Sequence, residues 1–169
     1  MAIGFRYAMT GGRYLMACLA GEKIASELKA REASPEISIR NPSVSTLFLL
    51  YRDNPYEMWP TMGSACVYTV LKLRNMDNHP EGESTLQEAQ NGIVNGGIMA
   101  GVESTVWNTH TFIQHHRQTT LADTFRTLLQ PETIHVYRNY MWARCSPPVA
   151  MGMLVGGASA AFASQLRGR

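Results

Sequence analysis

Apolar positions along the chain fall into four stretches poor in charge, separated by polar connections. The first, residues 2–25, reads AIGFRYAMTGGRYLMACLAGEKIA. Its small residues Gly4, Ala8 and Gly12, then Ala17, Gly21 and Ala25, recur at every fourth position, a spacing that lines one side of a helix. Arg6, Arg13, Glu22 and Lys23 interrupt it. Pro35 and Pro42 prevent one long helix through the polar stretch that follows. The apolar run TLFLLY (Thr46–Tyr51) is too short to cross a bilayer, and Arg52-Asp53-Asn54-Pro55 after it has turn character. The second stretch, residues 58–73, is MWPTMGSACVYTVLKL, with Pro60 expected just inside the helix N-terminus. The third, 89–113, lies in a segment whose one formal charge is Glu103. The fourth, 146–166, belongs to an uncharged run from Cys145 to Leu166, bounded by Arg144 on one side and by Arg167 and Arg169 on the other.

About 20 residues at 1.5 Å each cross a hydrocarbon core. The last two stretches reach that length, the first does so only with charges inside it, and the second is short. The expected fold is therefore all-α: an integral membrane protein of one domain with about four short glycine-rich transmembrane helices. Polar insertions are expected at 27–57 and 114–145, the latter carrying an amphipathic helix at Leu121–Leu129.

The third and fourth stretches share more than composition. One carries Gly92, Gly96, Gly97, Ala100, Gly101 and Ser104; the other carries Gly152, Gly156, Gly157, Ala160 and Ser164, at a constant offset of 60 residues. Positions four apart form a slowly drifting ridge on a helix, and a ridge of Gly, Ala and Ser is a groove that admits a second backbone. In lipid, where burial of apolar surface does not drive helices together, such close approach does. In water each glycine inside a helix costs about 1 kcal/mol relative to Ala. These eleven positions are the predicted helix-packing surface.

Composition changes this picture in a few respects. Charged residues make up 17% of the chain, low against the roughly 25% of soluble domains. Mean hydropathy, at −0.16, does not by itself single out a membrane protein. A formal charge of +2 with no basic cluster among aromatics speaks against nucleic acid as a partner. Cys18, Cys66 and Cys145 are too widely spaced for a disulfide framework or a zinc motif and read as small buried apolar residues, with a Cys18–Cys66 or Cys66–Cys145 bridge left open. Residues 1–21 contain Arg6 and Arg13 and no acidic residue, the composition of a mitochondrial targeting segment, expected to be retained.

Short glycine-rich helices of this kind resemble the Tim-type family of mitochondrial inner-membrane proteins, which includes preprotein-translocase channel subunits and a membrane accessory subunit of respiratory complex I. The residues that carry the resemblance are GSACVYTVLKLRNMDN from Gly63 to Asn78, GIVNGGIMAG from Gly92 to Gly101, and PPVAMGMLVGGASAAF near the end. It implies a multi-pass protein of the mitochondrial inner membrane. The expected role is a non-catalytic accessory subunit of a multi-subunit complex, with respiratory complex I (NADH dehydrogenase) and its electron-transport chain first and an import translocase as the alternative. Partners would be other membrane subunits and phospholipid, cardiolipin included, met by Lys72, Arg74, Arg144 and Arg167 at the helix ends. The connection 114–145 is longer than the tight turn of the family, which argues against a protein-conducting role.

No cofactor and no metal are expected. The nearest approach to a metal site is His110, His115 and His116 with Glu103, the basis of a third reading as a peripheral His-dependent metal enzyme. Adjacent His115 and His116 project about 100° apart on a helix, and no HExxH motif accompanies them. Nor is there a phosphate loop, nucleophile elbow or dinucleotide fingerprint. Glu103 is the ionisable group of greatest interest, because a carboxylate within a membrane helix must face a partner. The expected partner is an Arg or Lys, Arg13 being one candidate for an intramembrane ion pair; the alternative places Glu103 at the membrane surface.

Overall fold

The computed structural model describes residues 2–33, 55–80 and 82–167. The proline-bearing stretch 34–54, with its TLFLLY run, lies outside them. Every described element is a helix: α1 (Ala2–Ala33), α2 (Pro55–Asn78), α3 (Thr85–His115), α4 (Leu121–Leu128) and α5 (Pro131–Arg167).

Local chemistry sets the ends. Ser84 caps α3: its Oγ accepts the Gln87 backbone N–H at 3.3 Å while the Ser84 N–H donates to Gln87 Oε1 at 3.2 Å, a reciprocal box that satisfies two otherwise orphaned groups. Just before it, Gly82 takes φ +90°, a conformation reserved in practice for glycine, and makes the turn out of α2. Thr120 caps α4 in the same way through the Asp123 N–H at 3.1 Å.

The helices run longer than the apolar stretches suggest. α1 continues from the expected end at 25 to Ala33, and α2 begins at Pro55, so that Pro60 lies inside it and Pro55 takes the first-turn place. The largest correction concerns the expected insertion 114–145. The last helix starts at Pro131, carries Pro147 and Pro148 within it, and at 37 residues is about 55 Å long. Its first half is held by an aromatic cluster against α3, where the Phe112 ring meets Tyr137 at 4.9 Å and Tyr140 at 5.5 Å. Thr109 and Tyr137 join their hydroxyls at 2.6 Å beside it. Most of 114–145 is thus helix packed on helix.

Four long helices close a ring in which α1 adjoins α2 and α5, and α3 adjoins α5 and α2, the most extensive contact being α3 with α5. Short α4 rests against α5. Cross-contacts fix the directions. Gly21 meets Tyr68, and Lys29 meets Asp77, so α1 and α2 run parallel. Gly92 meets Gly156, and Gly96 meets Gly152, so α3 and α5 run antiparallel. Arg13 lies against Glu103, and Lys72 joins Glu22 to Glu88, so α1 runs antiparallel to α3 and therefore parallel to α5. Tyr14, Ala17, Cys18, Ala65, Tyr68, Met99 and Ala100 form the core where α1, α2 and α3 converge. By length and hydropathy, one helix among the described residues, Pro131–Leu166, qualifies to cross a membrane.

Candidate functional site

The two repeats pack on each other with an internal two-fold relation. Gly96 and Gly156, equivalent positions, face one another; a Cβ built on either would lie 2.9 Å from the Cα of the other. Around that point the contacts come in reciprocal pairs. Gly92 abuts Ala160 and Gly152 abuts Ala100, each at 2.5 Å from an imagined Cβ to the alanine methyl. Gly97 lies under Met153, and Gly157 under Ile93. Added Cβ atoms at Gly92, Gly96, Gly152 and Gly156 would all strike backbone, so the helices could not hold this distance with alanine there. At the edges the relation relaxes. Gly101 leaves room for a methyl, with Val149 Cγ2 at 3.5 Å. Ser104 donates back to its own helix at Ala100 O (2.6 Å), whereas Ser164 crosses to Thr85 Oγ1 (3.1 Å).

Beside this crossing, two charge clusters tie α1 and α2 to α3. In one, Arg13 Nη2 is paired with Glu103 Oε1 and Ser64 donates its hydroxyl to Glu103 Oε2, so that the sequence-named pair meets and takes in a third helix. Both charged side chains are largely sheltered. In the other, Lys72 Nζ lies 3.5 Å from Glu22 Oε2 and 3.7 Å from Glu88 Oε2, with the Tyr68 hydroxyl donating to Glu22 Oε1 at 3.1 Å. Lys72, expected to reach a lipid headgroup, is instead 2% exposed. An ammonium in an apolar bundle is held more firmly by two carboxylates than by a reach along the helix to the surface, and those carboxylates lie far away in sequence. Glu22, Glu88, Tyr68 and Ser64 are the residues that sequence reasoning missed. A single cation inside an otherwise uncharged stretch was the available sign that a partner was needed.

The remaining expected residues lie apart from these clusters. Arg74 and Arg144 are exposed, the latter over the Tyr140 ring at 5.7 Å, and Arg167 closes α5. His116 stacks on Phe112 at 4.1 Å and lies 2.9 Å from the Phe112 carbonyl through Nδ1; His110 lies 3.4 Å from Gln114 Nε2. Glu103 is engaged with Arg13 and Ser64, and the histidines do not converge on it. Of the cysteines, Cys18 alone is buried; Cys66 is exposed, Cys145 half-buried, and all three are free thiols. Outside the bundle centre, Lys29 bridges Asp77 at 2.5 Å and Glu32 at 2.7 Å, and the hydrogen bonds to these carboxylates hold its ammonium pKa above the ordinary lysine value.

The arrangement binds helix to helix. Its charges neutralise one another across three helices. Compared with known proteins, the chain matches no family model, no curated protein and no solved structure.

Proposed function

We propose that this chain is a non-catalytic accessory subunit of a multi-subunit complex in the mitochondrial inner membrane, with respiratory complex I as the assembly, and that it crosses the bilayer through its glycine-packed bundle. The observation that carries the membrane reading is a set of large apolar side chains left outside a bundle whose centre also holds polar groups. Glu22, Lys72, Asn95 and Ser159 are buried, while Val70, Val106, Trp107, Leu154 and Phe162 are each more than half exposed. Lipid or apolar neighbours around the bundle account for large apolar side chains outside and for a lysine held by carboxylates inside. The glycine crossing supports the same reading, because it supplies attraction that does not depend on water. The organelle and the complex rest on the sequence resemblance to the Tim-type family. Exposed Arg74 and Arg144 suit phospholipid headgroups.

Alkaline carbonate extraction tests the first half: the protein is expected in the membrane pellet, and its release into the supernatant would overturn the reading. Blue-native electrophoresis tests the second. Migration with NADH dehydrogenase activity is expected, and migration with an import translocase instead would replace complex I by the alternative.

A further inference from the structure

The uncharged run Cys145–Leu166 extends 11 residues before Gly156 and 10 after it. At 1.5 Å per residue each half measures about 15 Å, half the hydrocarbon thickness of a bilayer, so the contact of Gly156 with Gly96 marks the midplane. Heights counted along the helices from that point bring all three tryptophans of the chain to one level. Trp107 lies 11 residues past Gly96, at about 16 Å, and Trp142 lies 14 residues before Gly156 on antiparallel α5, at about 21 Å. Ser64, which donates to Glu103, sets the height of α2 at about 10 Å, and Trp59, five residues nearer the start of that helix, stands at about 18 Å. Two contacts support these levels. Asn108 Nδ2 lies 3.9 Å from Cys145 Sγ, which puts Trp107 and Trp142 about one helical turn apart in height. Pro60 and Trp107 wall the same cleft between α2 and α3. All three rings are more than half exposed, Trp142 at 79%.

We infer that Trp59, Trp107 and Trp142 form a belt seated in a single phospholipid headgroup layer, and that the end of α3, α4 and the start of α5 project past it. The inference rests on the reading that the bundle crosses a bilayer. A headgroup layer occupies roughly 15 to 22 Å from the midplane, the interval that holds the three rings. An indole suits it, with an apolar body for the acyl boundary and one N–H for an ester or phosphate oxygen. Exposed Arg144 sits beside Trp142 at the same level and offers a cation to the phosphate. The surface changes across the belt. Val70 and Leu154 are exposed within about 3 Å of the midplane, whereas Arg117, Arg126 and Arg138 are exposed beyond the belt. His115 and Pro131 stand at about 28 and 37 Å, outside the headgroups. A protein neighbour gathers its tryptophan contacts into one patch at any height; a bilayer sorts rings by height alone, on whichever helix they lie.

Depth-dependent quenching tests this. The full chain would be reconstituted in phosphatidylcholine vesicles whose acyl chains carry bromine near the ester end or near the methyl end. Three single-tryptophan variants, the other two rings replaced by Phe, report each position, and the unsubstituted chain reports all three together. A reference carries Leu154→Trp with Trp59, Trp107 and Trp142 all replaced by Phe. Shallow bromine is expected to quench each native tryptophan about twofold more than deep bromine, and the reference should show the reverse preference. If the reference prefers deep bromine while any native tryptophan matches it, or is quenched by neither lipid, the belt is overturned and the membrane reading stands. A reference quenched by neither lipid would overturn both.

Discussion

Gly96 and Gly156 occupy equivalent places in the two repeats and touch at the centre of the α3–α5 crossing, each leaving no room for a Cβ against the Cα of the other. Closest approach at this point lets every neighbouring contact recur in reciprocal form. A methyl there acts on backbone, which cannot rotate away, and the helices have to part. Gly96→Ala and Gly156→Ala are therefore expected to destabilise the protein by about 1–3 kcal/mol, the range for overpacking. Gly12→Ala and Gly63→Ala meet open space and should stabilise by about 0.5–1 kcal/mol through helix propensity. The opposite signs, read from thermal unfolding in detergent, are the check; equal effects at all four positions would show that the crossing is not tightly packed.

Glu103→Gln keeps the shape of the side chain and removes its charge. It leaves the Arg13 guanidinium without its counter-charge in a sheltered place, between the nearly neutral cost of breaking a surface pair and the ~3–5 kcal/mol of a buried one. A loss of about 2 kcal/mol is expected. A double-mutant cycle with Arg13→Ala should show strong coupling. Unchanged stability and unchanged assembly of Glu103→Gln would refute a structural role for the pair.

Lys72 and Arg74 stand two residues apart and should behave very differently. Lys72→Met removes the buried ammonium that both Glu22 and Glu88 approach and is expected to cost about 3–5 kcal/mol. Arg74→Met, at an exposed position, should lie within about 0.5 kcal/mol of the parent. Chemical denaturation of both variants decides it.

Much of this fold could be read from local sequence, and the limit is instructive. The repeat at Gly92 and Gly152 is visible because a packing ridge is periodic along one chain, and the Arg13–Glu103 pairing is visible because few charges interrupt those stretches. The fate of Lys72 was not visible. Its partners lie 50 residues before it and 16 after it, and nothing local distinguishes a lysine reaching out to a headgroup from one turned inward. Pro147 and Pro148 concealed the length of α5, since tandem prolines ordinarily mark a start, whereas here aromatic packing on α3 carries the helix past them. Relative helix direction leaves no trace in composition.

Lys29 supplies a pH signature. The carboxylates of Asp77 and Glu32 raise its pKa above the ordinary lysine value of 10.5, so the folded state holds that proton more tightly than the unfolded chain. The stabilisation is complete below pH 10.5 and is lost as pH rises through the folded value. Lys29→Met should remove this high-pH component; stability curves of the two proteins that remain parallel above pH 10.5 would show the bridge to be without effect.

The shared direction of α1 and α5 has a consequence for the geography of the chain. Two parallel helices put the Ala2 end of one and the Arg167 end of the other at opposite poles of the bundle. If both cross the same bilayer, those poles face different compartments, and the number of traverses between them is odd, unlike the even count of a simple up-and-down four-helix hairpin. α2 runs in the same sense as α1. Protease protection in sealed vesicles of either sidedness should therefore shield one of the two poles and expose the other.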